Sequence, residues 1–352
     1  MAIYNELPVL TFRWTKANSV SLEDIERKDY SYKLDPIKEG KEFLKDSIKK
    51  ELDLPKSFKG ASRESLDEVL TKTDFKKFLI TKPNETANVY LDFSMDKNNK
   101  TIISDITVYA GENSTVNLTL DFNGIEEDGY SNILTRVFGE RNSTINITKV
   151  QRQKSKRHID HRYTELENGS KINYLIINLE GQETLYHYVS ELKGEGSQAD
   201  IKCIYIGEGD SLTDLYNDIK FIGKNTVGDY QVRGALKDIA KKYFRGTLDF
   251  VKGCSGSEGD EEENVILLND KVKSFAIPIL LAGEDDVSGN HAASAGQVDE
   301  NILFYIMSRG FSEIEAKKMI VEGSFSSIID MISNEDLKKF IVGSLDEKLE
   351  MI

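Results

Sequence analysis

Ser114-Thr115-Val116-Asn117-Leu118, Ser143-Thr144-Ile145-Asn146-Ile147, Ser170-Lys171-Ile172-Asn173-Tyr174 and Ser197-Gln198-Ala199-Asp200-Ile201 are four versions of one phrase. They recur at steps of 29, 27 and 27 residues. Each follows a small polar cluster: Gly111-Glu112-Asn113, Gly139-Glu140-Arg141-Asn142, Glu167-Asn168-Gly169 and Gly194-Glu195-Gly196. Each then alternates, as where Ile172, Tyr174 and Ile176 fall on one side and Lys171 and Asn173 on the other. A fixed period, a turn signal and a two-residue alternation describe a solenoid coil of two or three short strands. The segments are too poor in helical patterning for a helical repeat. The fold this predicts is mainly β: a right-handed parallel β-helix whose inward Val, Ile and Leu stack into one core.

Outward from the repeats, Val89 to Phe93 and Ile102 to Tyr109 alternate in the same way, with a turn over residues 96–100. Ile219-Lys220-Phe221-Ile222-Gly223 reads as a further rung. Val265-Ile266-Leu267-Leu268 and residues 274–281 read as the last buried rungs, split by a turn at Asn269-Asp270. Residues 253–263 read as a glycine-rich acidic loop, and Lys237, Lys241, Lys242 and Arg245 as a basic face.

Residues 1–75 read as a helical and irregular region. Leu7, Pro8, Val9, Leu10 and Trp14 are expected to tuck against the body, and Ser62 to start a helix near residue 64. After Asn290 the period changes from two to about 3.6. Ile302, Leu303 and Ile306 share one helical face, and Arg309-Gly310 ends it. Ser312-Glu313-Ile314-Glu315 has capping-box spacing, and Gly323 is expected to break the helix that follows. Residues 325–332 and 336–349 read as two more helices. The organisation expected is therefore residues 1–75 helical and irregular, 76–288 the β-helix core and 289–352 a C-terminal helical domain.

Composition narrows function. At 352 residues the chain can bury a large core. A net charge of −14 argues against nucleic acid, which needs a basic face, and against anionic lipid. Residues 1–20 hold Glu6, Pro8, Arg13 and Lys16 with no apolar signal-peptide core, and no apolar run is long enough to span a bilayer, so a cytoplasmic location is expected. The sequons at Asn113, Asn117, Asn142 and Asn146 are then turn and strand chemistry. No Gly-x-x-x-x-Gly-Lys-Ser/Thr occurs, so no nucleotide is expected on a P-loop of this chain.

The C-terminal third carries a resemblance. Leu267-Leu268, Ala276-Ile277-Pro278, Asp285-Asp286-Val287, His291-Ala292-Ala293, Gly296-Gln297-Val298-Asp299, Leu303-Phe304-Tyr305-Ile306-Met307-Ser308-Arg309-Gly310 and Glu315-Ala316 resemble the SufB/SufD family of iron–sulfur cluster assembly proteins. The match covers residues 267–316, and the β-helix reading of the middle is similar to that family's core. Ala292, where SufB proteins carry a Glu after the His, points to the SufD branch, as does the missing cluster Cys between Val265 and Leu281. The resemblance implies a non-catalytic scaffold that pairs with SufB through the β-helices and binds the ABC-type ATPase SufC through its C-terminal helices. On that basis Leu303, Phe304, Ile306, Met307 and Arg309 are the docking residues. His291 matches a histidine proposed as a metal ligand at the SufB interface, which implies a transient iron or nascent iron–sulfur cluster shared with SufB. SufD proteins often show Lys-Cys-Ser-His-Gly there, whereas this chain has Ser288-Gly289-Asn290-His291-Ala292, so a Cys–His ligand pair is not carried over.

From the residues alone, His291 reads as a turn histidine whose neutral imidazole suits iron. Cys254 reads as a poor thiolate in an acidic loop, its thiol raised by Glu258 and the acidic run after it. Cys203 alternates with Ile201 and Tyr205 and reads as core. His158 and His161 fall on opposite faces of a strand and cannot share a metal; with Arg152, Lys154, Lys156 and Arg157 they read as a solvated basic rung. Two other readings stand beside the scaffold: a SufB-type scaffold, and a β-helix polysaccharide lyase or hydrolase, which needs paired carboxylates or a cationic base in a groove. Exposed sheet edges invite pairing, so the chain alone is open to homodimer formation.

Overall fold

The turns explain the fold. The last residue of each polar cluster sits in the left-handed region: Asn113 at φ 54°, Asn142 at 55°, Gly169 at 65° and Gly196 at 69°, and so does Asn225 at 56° at the end of Gly223-Lys224-Asn225 in the next coil. Glycine and asparagine tolerate that region and other residues rarely do. The next residue closes the turn with a backbone bond, as in Ser114 N–H to the Gly111 carbonyl at 3.1 Å and Ser143 N–H to the Glu140 carbonyl at 3.0 Å. The left-handed residue donates to the following coil, as in Asn113 to the Arg141 carbonyl at 3.0 Å. Each turn is therefore bonded to the one above it.

A computed structural model of the chain describes residues 1–7, 17–25, 32–50, 52–332 and 334–349. The N-terminal region holds an antiparallel pair, β1 (Ala2–Tyr4) and β2 (Val20–Leu22), the short strands β3 (Ile37–Glu39) and β4 (Leu44–Lys45), the helix α1 (Arg63–Lys72) and β5 (Phe75–Ile80). Ser62 caps α1, accepting from Ser65 N–H as its sequence predicts. The described residues of 37–54 otherwise hold a single 3-10 turn over Lys41–Phe43 and irregular chain rather than an α-helix. Pro8, Val9, Leu10 and Trp14 lie outside the described residues; Leu7 packs on Tyr216 and Ile277.

The coils follow, each with one strand in a first sheet and one in a second. They are β6 (Thr86–Met95) and β7 (Thr101–Ala110), the long bent β8 (Thr115–Gly139) that serves both sheets, β9 (Thr144–Gln151) and β10 (Lys154–Leu166), β11 (Lys171–Asn178) and β12 (Glu183–Leu192), and β13 (Gln198–Gly207) and β14 (Leu212–Phe221). Then come β15 (Val227–Leu236) and β16 (Lys241–Phe250), β17 (Ser257–Leu267) and β18 (Lys273–Ala282), and β19 (Val287–Gln297), which ends the first sheet. All these neighbours pair in parallel, and the four repeated phrases stack in register: Asn117 faces Asn146, Asn146 faces Asn173, and Asn173 faces Asp200. Their side-chain amides form a ladder, Asn146 to Asn117 at 2.7 Å and Asn173 to Asn146 at 2.7 Å. This is the parallel β-solenoid the repeats predict.

Inside, one apolar cluster runs from Leu44 to Val265, with Phe93 stacked on Phe122 at 5.0 Å and Phe221 on Phe250 at 4.3 Å. The tail comprises α2 (Glu300–Met307), α3 (Glu313–Ile329) and α4 (Glu335–Leu349). Ser312 and Glu315 form the expected capping box. Gly323 does not break α3; it lies where a side chain would meet only open space, and the helix's buried face continues through Val321, Phe325 and Ile328. That face packs on the outside of the first sheet, against Leu175, Ile177, Ile204 and Ile206. Phe58, Leu66 and Val69 cover the outside of the second sheet at Ile103, Leu134 and Tyr163.

Three other expectations change. Residues 253–263 are largely strand: in β17, Ser257, Gly259, Glu261 and Glu263 are buried and alternate with more exposed Glu258, Asp260 and Glu262. Glycine and acid masked the period-two pattern there. The last rungs are not fully buried: β18 is mostly half-buried and β19 exposed, because among the described residues no coil follows them. The basic face dissolves: Lys237, Lys242 and Arg245 are buried, each with its own partner, and Lys241 alone of the four is exposed.

Candidate functional site

The two ends of the solenoid differ. At the first end β3 pairs antiparallel with β6 and β4 with β5, closing the stack. At the other end, among the described residues, no strand pairs beyond β18 and β19. His291 lies here, in the middle of strand β19 rather than in a turn, because β19 adds one more strand in register on β17. Its register partner is Glu261. Side chains paired in register share a face of the sheet, and Glu261 is an inward residue, so His291 belongs to the lumen side of the open end. It is exposed.

The rest of this mouth is small or apolar. Gly289, Ala293 and Ala295 share the inward parity of His291 on β19, and Ala276, Pro278 and Leu280 face them from β18, continuing Phe244, Gly246 and Leu248 below. Glu263, one step along from Glu261, is taken up by Lys242 at 2.6 Å. Burial raises the Glu263 carboxyl and lowers the Lys242 ammonium, each against the pull of its partner.

Deeper in the lumen lies a charged cluster that sequence reasoning missed. Asp160 accepts from Lys149 Nζ at 2.6 Å, from Tyr188 Oη at 2.6 Å and from Arg162 Nη2 at 3.0 Å. Lys149 sits over the Tyr186 ring at 4.0 Å, and Arg162 over Tyr188 at 4.6 Å. Burial brings Lys149 down to about 7, against the attraction of Asp160. Burial opposes ionisation of Asp160, but the two cations outweigh it and hold the carboxyl well below its ordinary range. His158 sits beside these cations with neither ring nitrogen bonded, and burial keeps it neutral. His158 and His161 do face opposite sides, but neither is solvated. His158 packs edge-on to Phe122 at 5.1 Å inside, while His161 accepts from Ala61 N–H at 2.9 Å under the N-terminal segment, with burial bringing it to about 4. The signal was present: residues 158, 160 and 162 share the parity of a core face, and the coat over 159, 161 and 163 comes from distant residues.

Cys203 is core, its thiol pushed up to about 12 by burial. Cys254 is buried at a coil turn, and burial is the first cause of its raised thiol, ahead of Glu284 and Asp249 rather than the 258–263 acids. A cleft of about 770 Å³ on the second sheet's outer side, lined by Phe58, Arg63, His187, Tyr216 and Asp218 among others, shares no residue with the mouth. Among the described residues no three or more His, Cys, Asp or Glu converge as a metal set, and no helix is long and apolar enough to cross a membrane.

The tail's outermost helix, α2, has no buried residue. Phe304 is 74% exposed, Tyr305 59% and Ile302 50%, while Leu303 and Ile306 are half-buried. Met307 is exposed too, and Arg309 lies beside Tyr305, its guanidinium 5.1 Å from the ring centroid. Contiguous exposed apolar area of this kind is the usual character of interaction surfaces.

Fold and site together define a class: a parallel β-solenoid closed at one end, open at the other, with an apolar helix standing off its flank. Residues 93–324 match the SUF system FeS cluster assembly SufBD core domain, and the chain belongs to that family. It is 27% identical over 259 residues to the iron–sulfur cluster assembly protein SufD of Bacillus subtilis, covering 72% of this chain and 59% of that protein. It is 28% identical over 160 residues to SufB of the same organism, covering 46% and 34%. A SufBD family protein of Staphylococcus saprophyticus is 30% identical over 184 residues, covering 46% and 38%. The chain thus spans about three fifths of the B. subtilis SufD length, and less of the others.

Proposed function

We propose that the chain is a non-catalytic SufD-type scaffold of an iron–sulfur cluster assembly complex. Its open end pairs with a SufB rod, its α2 helix docks a SufC ATPase, and His291 offers a ligand to iron or a nascent cluster at the junction. The observation that carries this reading is the apolar helix α2, none of whose residues is fully buried, on a family member whose last coil is uncapped among the described residues. The longer similarity to SufD than to SufB supports the branch. No nucleotide is held by this chain; ATP enters through the docked partner. Alone, the same open edge supports a homodimer.

The test is co-expression with SufB and SufC from the same source and capture through a tag on this chain. Phe304→Asp with Met307→Asp is the sharper variant, because both side chains are exposed, whereas Leu303 and Ile306 also support α2 itself. The double variant is expected to lose SufC and keep SufB while melting as the parent does. Undiminished SufC capture by the folded variant would refute the docking assignment. His291→Ala is expected to leave the complex assembled and to lower its cluster yield; full yield removes the ligand role.

A further inference from the structure

The mouth holds one side chain that the fold does not account for. Glu261 is 2% exposed, yet among the described residues neither carboxylate oxygen has a hydrogen-bond partner. Its neighbour Glu263 has Lys242, and Asp160 further down has Lys149, Arg162 and Tyr188. Every other buried acid on this path is compensated; Glu261 is not. An unsatisfied buried carboxylate is costly and calls for an explanation such as an absent ion. The lumen is shaped around it: a Cβ on Gly246 of the facing sheet would collide with the Glu261 carboxyl group. Glu261 is also one strand from the open edge, and the residue directly above it in register is His291. Adjacent strands are about 4.8 Å apart, close enough for two side chains on one face to hold one ion.

We propose that Glu261 is a second iron-binding residue, joining His291 to hold a divalent iron ion at the open mouth of the solenoid. This rests on the reading of His291 given above and extends it inward. Imidazole with carboxylate is a donor set suited to iron(II). The surrounding Gly289, Ala293, Ala276 and Pro278 offer no competing donor. Two donors are an incomplete set, so the remaining positions belong to water or to the rod that closes the mouth.

The full chain is equilibrated anaerobically with ferrous ions, and bound iron is measured by dialysis. Glu261→Gln, His291→Ala and the control Glu258→Gln, on the same strand but facing out, are compared with the parent. Glu261→Gln and His291→Ala are each expected to weaken iron binding at least tenfold, with the control unchanged. Loss in His291→Ala but not in Glu261→Gln overturns the role of Glu261 and leaves His291 standing. Parent binding in both variants, or no iron retained by the parent at millimolar concentration, overturns the pair. Loss in Glu261→Gln alone overturns the shared site. SufC capture is read in parallel on the same proteins: its absence strikes the scaffold reading, while the donor pair is judged on iron alone. A thermal melt of Glu261→Gln at or above the parent's establishes that lost iron is not lost fold.

Discussion

Asp160 and Glu261 are both acids inside an apolar tube, and their surroundings give them opposite characters. Asp160 stands between Lys149 and Arg162, and the attraction keeps it ionised despite burial. Removing one member of such a set strands the others, which is why buried pairs are costly to break. Glu261 has no cation partner among the described residues; burial first, and Glu263 second, push its carboxyl up to about 8. A group whose folded value is raised favours the fold while protonated. Its contribution is fully present below the ordinary carboxylate range and is lost as pH rises toward 8. The metal-free parent is therefore expected to lose stability between about pH 5 and pH 8 through this residue, by roughly a few kcal/mol. Glu261→Gln flattens that part of the profile and melts higher at pH 8. Chemical denaturation across the range checks it; parallel profiles for the two proteins would reject the account.

At the scale of the element, the coil turn is the repeating device. Its left-handed position is filled by Asn84, Asn113, Asn142, Gly169, Gly196, Asn225 and Gly256 in successive coils. At Gly196 a Cβ would meet nothing within 4 Å, so substitution there reads backbone strain without a clash. Gly196→Asn is expected to stay within about 0.5 kcal/mol of the parent, since asparagine tolerates this region. Gly196→Val should cost about 1–2 kcal/mol or somewhat more. Equal effects of the two in urea unfolding would mean the turn is not what pins the coil. These turns were readable because glycine and asparagine in a fixed period have a local cause. Strand β17 was not, because its inward Gly259 and Glu261 make sense only against Phe221, Phe250 and Gly246 of other coils.

Across the whole molecule, the described residues coat both sheets of the solenoid and leave one end bare. The same residue type separates coat from docking surface. Phe325 on α3 is fully buried against the first sheet, and Phe304 on α2 is mostly exposed. Phe325→Ala is expected to cost about 3–5 kcal/mol, and Phe304→Ala no more than about 0.5 kcal/mol. Thermal and urea melts compare them; similar losses would mean α2 is packed in solution. Lys348 bonds α4 to Glu180 at 2.8 Å and accepts Lys237 through its carbonyl at 2.9 Å, joining the tail to coils far away in sequence. The period, the turn residues and the switch to helical spacing near residue 300 are local properties, and the sequence by itself determined the stacked coils, the tail helices and the opposed faces of His158 and His161. Tertiary structure alone decided which end stays open, what coats each sheet, that His291 is a strand residue above Glu261, and that the lumen holds charge. Those depend on contacts between residues a coil or more apart, where burial and partner charge, rather than residue type, set the chemistry.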